Sequence, residues 1–262
     1  MVFTYHAPPL GEVRFDFGAA PYFREILRCD RCGHFLSVHQ IDMRALYSGQ
    51  YVNATYGADG LKRAFDRIIS LPEERSDNVG RVAAVKAFGT KHFDKMLAEG
   101  AVPKVLDVGS GLGVFLHRLK NATQWDCTAL DPDSRAVLHA KTVAGAKGVC
   151  ADFMQADALG HFDFVTFNKV LEHVKDPVAM LARTHKCLAP DGVVYLEVPD
   201  GEAASNIGEG REEFFIDHHH VFSLQSMRIL VRNAGFNMLG EQKLCEPSGK
   251  FTLRAFITAS KA

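Results

Sequence analysis

The sequence is poor in the features that would take it out of the ordinary globular class. Lys and Arg number 30 against 31 Asp and Glu, for a net charge of −1. That balance gives no general attraction for phosphate backbones and excludes nucleic acid as a first partner. No apolar run is long enough to span a bilayer. Residues 1–10, with His6, Pro8 and Pro9, lack the charged segment and apolar run of a signal peptide, so a cytoplasmic location is expected. Internal repeats, low-complexity tracts and an obvious flexible linker are also missing. Cysteine is sparse, at six residues. Cys127, Cys150, Cys187 and Cys245 are scattered through apparent strands and helices, where a reduced thiol acts as a small hydrophobe. Only Cys29 and Cys32 are close neighbours. What is present, 47% hydrophobic and 23% charged residues over 262 positions, suits one sizeable domain with a smaller accessory segment.

From Lys104 onward, short β-rich apolar runs alternate with longer helical patterns, the signature of βαβ units in a largely parallel sheet. Strands are expected at 104–108, 125–130, 147–150, 162–167 and 193–198, with helices at 113–120, 134–144 and 177–188. A turn at Ala189-Pro190-Asp191-Gly192 ends the last of these. A helix at 224–233 stops at Gly235, and strands at 236–244 and 251–260 follow, joined by Glu246-Pro247-Ser248-Gly249. Residues 61–71 and 79–98 have helical periodicity. Residues 22–56 hold the cysteine pair and three spaced tyrosines without a strong period. Residues 1–60 are therefore expected to form a cap, and 61–262 the main domain.

The sharpest signal is Val105-Leu106-Asp107-Val108-Gly109-Ser110-Gly111-Leu112-Gly113, a strand that runs into a glycine-rich turn and then an amphipathic helix. Glycine supplies unusual backbone angles there and lets a ligand approach main-chain atoms. A dinucleotide fingerprint would need a small residue at position 114, which is Val114. Asp107 can organise the turn beneath a cationic, zwitterionic ligand. Asp131, followed by Pro132, ends the second strand about twenty residues on, where a carboxylate can take two ribose hydroxyls. Asp152 can accept from an adenine amino group while the ring of Phe153 covers the base. Asn168 ends the fourth strand beside the remaining part of such a ligand.

Together V-L-D-V-G-S-G-L-G, A-L-D-P, A-D-F and F-D-F-V-T-F-N-K-V-L-E-H-V resemble the class I S-adenosylmethionine-dependent methyltransferases, over roughly residues 104–262. The resemblance implies an α/β, Rossmann-like, seven-stranded, mostly parallel sheet with helices on both faces and a C-terminal antiparallel hairpin, plus a small N-terminal cap. It implies S-adenosylmethionine as cofactor. Gly109, Gly111 and Gly113 would surround its methionine part, Asp131 its ribose and Asp152 its adenine.

Methyl transfer to a hydroxyl or carbon acid needs a base beyond the cofactor. The candidate segment is Phe214-Phe215-Ile216-Asp217-His218-His219-His220-Val221-Phe222-Ser223, after a Gly/Glu-rich loop at 201–213, because loops at the carboxyl ends of such strands bind substrates. Histidine accepts a proton near neutral pH, and a neighbouring acid can orient it. Asp217-His218 before Phe222-Ser223 resembles the acid-His pair of sugar methyltransferases. Leu27-Arg28-Cys29-Asp30-Arg31-Cys32-Gly33, with Tyr47, Tyr51 and Tyr56 after it, resembles their N-terminal segment. That resemblance implies His218 as general base, with Asp217, His220 and Tyr51 or Tyr56 lining the acceptor pocket. His173 would sit at the cofactor rim.

Consecutive residues on an extended segment point to opposite faces, so which of His218, His219 and His220 faces the pocket stays open. A zinc ion on Cys29 and Cys32, completed by His34 and His39, would need an unusually tight loop; a vestigial knuckle without metal is the expectation. The acceptor is expected to be a small hydroxyl-bearing molecule, a sugar or sugar nucleotide of glycan or natural-product biosynthesis, and a homodimer is one option for assembly. A quinone or phenolic O-methyltransferase and a non-catalytic adenosylmethionine-binding subunit are the rivals. Methylation of exocyclic base amines is disfavoured, because Asn168-Lys169-Val170-Leu171 is not an N-P-P-Y motif.

Overall fold

The computed structural model describes residues 1–12, 21–43 and 60–260. The tyrosines Tyr47, Tyr51 and Tyr56 lie outside the described residues.

The N-terminal segment forms an antiparallel ladder of β1 (Phe3–Tyr5), β2 (Arg24–Arg28) and β3 (Phe35–His39). In β3 the burial alternates, with Phe35 and Ser37 inward and Leu36 and Val38 exposed, as a one-sided sheet requires. Helices α1 (Gly60–Ile69), α2 (Asp77–His92) and α3 (Asp94–Ala98) follow. The helix expected across 79–98 is thus two helices, broken at Phe93, whose φ of −103° and ψ of 27° leave the helical region.

The main body repeats strand and helix as the pattern of apolar runs predicts. It comprises β4 (Lys104–Val108), α4 (Val114–Thr123), β5 (Asp126–Asp131), α5 (Ser134–Ala144), β6 (Lys147–Cys150), β7 (Phe162–Asn168), α6 (Pro177–Arg183) and β8 (Leu188–Pro199). Helix α6 ends five residues sooner than expected and passes through a 3-10 turn at Thr184–Lys186. The Ala189–Gly192 turn is a kink within β8, where Asp191 takes a φ of 57°. The pairing with β7 shifts register nearby, between Phe162 and Phe164.

What was expected as a plain Gly/Glu-rich loop contains the short helix α7 (Gly201–Ser205), because Asp200 accepts hydrogen bonds from the Glu202 and Ala203 amides and caps it. The chain closes with β9 (His220–Val221), α8 (Leu224–Asn233), β10 (Phe236–Cys245) and β11 (Phe251–Ala259).

Seven strands make one sheet in the order β10-β11-β8-β7-β4-β5-β6, all running in one direction except β11, which is antiparallel to both of its neighbours, β8 and β10. Both faces are covered. Along β8, Val194, Leu196 and Val198 face a core shared with α6 and α8, whereas Val193 and Tyr195 face one shared with α2 and α4. Sheets buried on both faces carry such near-continuous apolar strands. Chain order reverses beside β4, whose neighbours are β5 and β7, and the cleft outside the carboxyl ends there is where open α/β sheets bind ligands.

β9 does not join this sheet. It pairs antiparallel with β3, Phe35 opposite Val221 and Leu36 opposite His220, and completes a four-stranded cap sheet β1-β2-β3-β9. The cap therefore grips the segment that enters the cleft from the other side.

Candidate active site

A cavity of about 1070 Å³ opens at the carboxyl ends of β4, β5, β7 and β8. That is at the top of the usual range for small-molecule sites, with room for a nucleoside cofactor and an acceptor together.

One half is built on β4 and β5. Gly109, at a φ of 70°, and Gly111, at 47°, both line the cavity. A Cβ on Gly109 would lie 2.9 Å from Val170 Cγ2, so only glycine lets the turn and the Val170 loop close together. Asp131 lines the cavity as well. Its Oδ2 accepts from the Gly111 amide at 3.0 Å and its Oδ1 from the Asp133 amide at 2.9 Å. Burial pushes its carboxyl above the usual range, against the pull of those two amides. Pro132, Asp152 and Phe153 complete this wall. Phe153 is buried edge-on to Phe167, and exposed Asp152 accepts from the Met154 amide at 2.9 Å.

Three of the residues singled out from sequence stand behind the wall. Asp107 is 2% exposed; its Oδ1 accepts from Thr166 Oγ1 at 2.6 Å and from Asn168 Nδ2 at 2.8 Å. Burial pushes Asp107 up to about 6. Asn168 keeps a buried Oδ1 without a hydrogen-bond partner. Gly113, at the start of α4, serves helix packing, since a Cβ there would meet Ala140 of α5 at 3.1 Å.

The donor set fits S-adenosylmethionine. Two glycines bare the main chain, a carboxylate ends the neighbouring strand, and an aromatic ring and an acid follow, all of them on the cavity wall.

The other half of the cavity comes from the loop after β7 and the segment before β9. Glu172, His173, Glu213, Asp217 and His218 all line it. His218 Nδ1 lies 2.8 Å from the Glu213 carbonyl. A carbonyl only accepts, so that contact places the proton on Nδ1 and leaves Nε2 as the lone-pair nitrogen. His173 Nδ1 makes the same kind of bond to the Asp217 carbonyl at 2.8 Å, and the two imidazoles pack edge to face with centroids 4.8 Å apart. Asp217 is 7% exposed. Burial would raise its carboxyl, but His218 and His173 beside it hold it below the usual range.

Of the three consecutive histidines only His218 lines the cavity among the described residues. His219 stacks on His39 at 6.4 Å, and its amide donates to the Glu172 carbonyl. His220, expected to line the acceptor pocket, instead packs into the cap: its Nδ1 meets His34 Nε2 at 3.0 Å, because the β3–β9 pairing turns it away.

His34 is further held by Ser226 Oγ at 3.1 Å, so it does not join the cysteines. Cys29 and Cys32 are free thiols in the turn after β2. Among the described residues, the group with three ligand atoms within 4.8 Å of one another is Glu172, His173 and His218. Glu172 was missed from sequence. It is 1% exposed with neither carboxylate oxygen hydrogen-bonded, and only its place in L-E-H-V could have signalled it. Lys169 also lines the cavity, at a φ of 59°, with its ammonium on Thr252 Oγ1 at 2.7 Å.

Residues 58–241 match the family described as a methyltransferase domain. The chain belongs to that family and is a class I S-adenosylmethionine-dependent methyltransferase domain. Its curated relatives include proteins named ubiquinone biosynthesis O-methyltransferase. One, from Pseudomonas aeruginosa (strain UCBPP-PA14), is 31% identical over 100 residues, 36% of this chain and 43% of the relative. Another, from Xanthomonas campestris pv. campestris (strain B100), is 29% identical over 140 residues, 50% of this chain and 58% of the relative. The chain thus spans about half the length of the curated relatives it matches.

Among solved structures, the fold is shared with the Burkholderia thailandensis 1,6-didemethyltoxoflavin-N1-methyltransferase bound to 1,6-didemethyltoxoflavin and S-adenosylhomocysteine. The TM-score is 0.57 at 18% identity, over 90% of this chain and 100% of that one. It is also shared with the magnesium protoporphyrin IX methyltransferase of Synechocystis PCC 6803 bound to S-adenosylhomocysteine, with a TM-score of 0.55 at 17% identity over 82% and 99%. No helix among the described residues is long and apolar enough to cross a membrane.

Proposed function

We propose that this protein transfers a methyl group from S-adenosylmethionine to a hydroxyl of a small acceptor, a sugar or sugar nucleotide, with His218 as general base. One observation carries the reading: His218, held by its Nδ1–H on the Glu213 carbonyl, lines the same cavity as Gly109, Gly111 and Asp131. When bound, the cofactor supplies an electrophilic methyl on a sulfonium.

The chain's own residues do the rest. Gly109 and Gly111 expose main chain to the methionine part, Asp131 accepts from the ribose hydroxyls, and Asp152 and Phe153 hold the adenine. Across the cavity, Nε2 of His218 accepts the proton of the acceptor hydroxyl as its oxygen becomes methylated. The charge that imidazolium then carries is stabilised by Asp217, whose carboxylate remains ionised.

The names of the curated relatives favour one second reading, a phenolic acceptor. A single turnover panel separates the two: hexose and 6-deoxyhexose nucleoside diphosphates against dihydroxybenzoates, with S-adenosylhomocysteine release as readout. Turnover of a sugar nucleotide that falls roughly 10²–10⁴-fold in His218→Gln supports the proposal. Turnover of phenols alone, or full activity in His218→Gln, would overturn it.

A further inference from the structure

Away from the cofactor cradle, a buried polar cluster joins the cap to the acceptor side of the cavity. Arg24 of β2 is 0% exposed and pairs with Glu12, 5% exposed, at 2.9 Å. The Tyr22 hydroxyl donates to Glu12 Oε2 at 2.6 Å and accepts from Arg24 Nε at 3.1 Å, and the guanidinium lies 4.2 Å over the Tyr5 ring. Two bonds from the ion pair end on one short stretch of main chain: Arg24 Nη1 donates to the Phe214 carbonyl, and the Ile216 amide donates to Glu12 Oε1 at 2.8 Å; the Tyr5 hydroxyl separately donates to the Glu209 carbonyl at 2.8 Å.

The stretch is the one that matters for the proposed chemistry. Glu213, whose carbonyl fixes the His218 imidazole, directly precedes it, and Asp217-His218 directly follows. Burying an ion pair costs desolvation that apolar residues of similar size would avoid, so cohesion alone is a poor reason for it. Holding a main-chain segment in one place through two directional bonds is a better one. Neither Arg24 nor Glu12 lines the cavity among the described residues, so they would act on the reaction through other residues, and the stretch that both bond is 214–216.

We propose that Arg24 and Glu12 are positioning residues, which pin residues 214–216 so that His218 presents Nε2 to the acceptor. This rests on the reading of His218 as the base. The cap sheet is then a working part of the acceptor site, since its strand β2 holds the histidine-bearing segment that β3 also pairs with through β9.

The test uses the full chain with Arg24→Gln, Glu12→Ala and the conservative Glu12→Gln, which keeps an acceptor for the Ile216 amide. Each is measured for S-adenosylhomocysteine affinity by calorimetry and for kcat and KM on the fastest acceptor of the panel above. Arg24→Gln and Glu12→Ala are expected to lower kcat by up to ~100-fold, as small misplacements of catalytic groups do, with cofactor affinity unchanged within about twofold. Glu12→Gln should recover most of the loss. Added to His218→Gln, Arg24→Gln should cost no more than about twofold further, because residues acting through one another are not additive.

A readout that needs no acceptor is the ¹⁵N signature of the His218 ring, expected as one Nδ1–H tautomer in the wild type and mixed in Arg24→Gln. Wild-type kcat in Arg24→Gln and Glu12→Ala, cofactor affinity that falls in step with kcat, fully additive losses with His218→Gln, or an unchanged tautomer would each overturn the proposal. Undiminished turnover in His218→Gln alone instead sinks the base assignment, and that is read before any cap variant is made.

Discussion

Asp107 is a carboxylate where folding would prefer none, and Asp107→Asn measures the cost. The side chain is 2% exposed, and burial lifts it from an ordinary 3.8 to about 6, against hydrogen bonds from Thr166 and Asn168 that pull it down. A carboxyl raised on folding favours the folded state only while protonated: that contribution is whole below about 3.8 and lost as pH rises through about 6. The gap of about 2 units at 1.36 kcal/mol each makes the ionised group cost about 3 kcal/mol at pH 7.5, and about 1 kcal/mol at pH 4.5. Asparagine is neutral at both pH values, and its Oδ1 can still accept from Thr166 and Asn168.

Urea unfolding of the ligand-free chain should therefore show Asp107→Asn more stable by about 1–3 kcal/mol at pH 7.5, with the gain shrinking toward pH 4.5. Affinity for S-adenosylmethionine should fall about tenfold in the same variant, since the lost charge lies under the turn that would hold a cation. A variant less stable than wild type at pH 7.5, or a gain that does not shrink on acidification, refutes the reasoning.

Gly109→Ala places a Cβ 2.9 Å from Val170 Cγ2 at a φ of 70°. It should lower stability by about 1–2 kcal/mol in thermal unfolding and abolish cofactor binding by calorimetry. Glu197 is 0% exposed; burial would raise its carboxyl, but Arg81, at 2.7 Å, together with Lys169 and Arg254 holds it down at about 2. Its contribution of roughly 3 kcal/mol is whole above about 4.5 and lost as pH falls through about 2, so acid unfolding should shift to higher pH in Glu197→Gln. Gly113→Ala puts a methyl 3.1 Å from Ala140 and should lower the melting temperature while leaving cofactor affinity within about threefold, as a packing role requires.

The cofactor half was legible because its logic is local. The glycines of one turn and the acid ending the next strand, which the Gly111 amide reaches across 20 positions, are set by strand and helix lengths that periodicity reveals. Asp107, Asn168 and Gly113 were found by the same motif, but whether each faces the ligand or supports the wall depends on side-chain direction, which spacing does not carry. On the acceptor side, sequence reached Asp217 and His218 but not what orients them. The Glu213 carbonyl is a main-chain group that any residue could supply, and Arg24 meets Phe214 across 190 positions. The same holds for His220, whose direction is fixed by pairing with β3 and not by its neighbours. Helix α6 ended early because the chain from Leu188 is drawn into the sheet beside β7, a tertiary pairing that outweighs local helical pattern.

Titration calorimetry of the wild type and Asp131→Ala with S-adenosylhomocysteine tests the central claim most directly. One site per chain in the wild type, weakened at least about a hundredfold by the loss of the carboxylate proposed to take two ribose hydroxyls, is the expected result. Heat of equal size and affinity in both proteins, or none in the wild type, would contradict it.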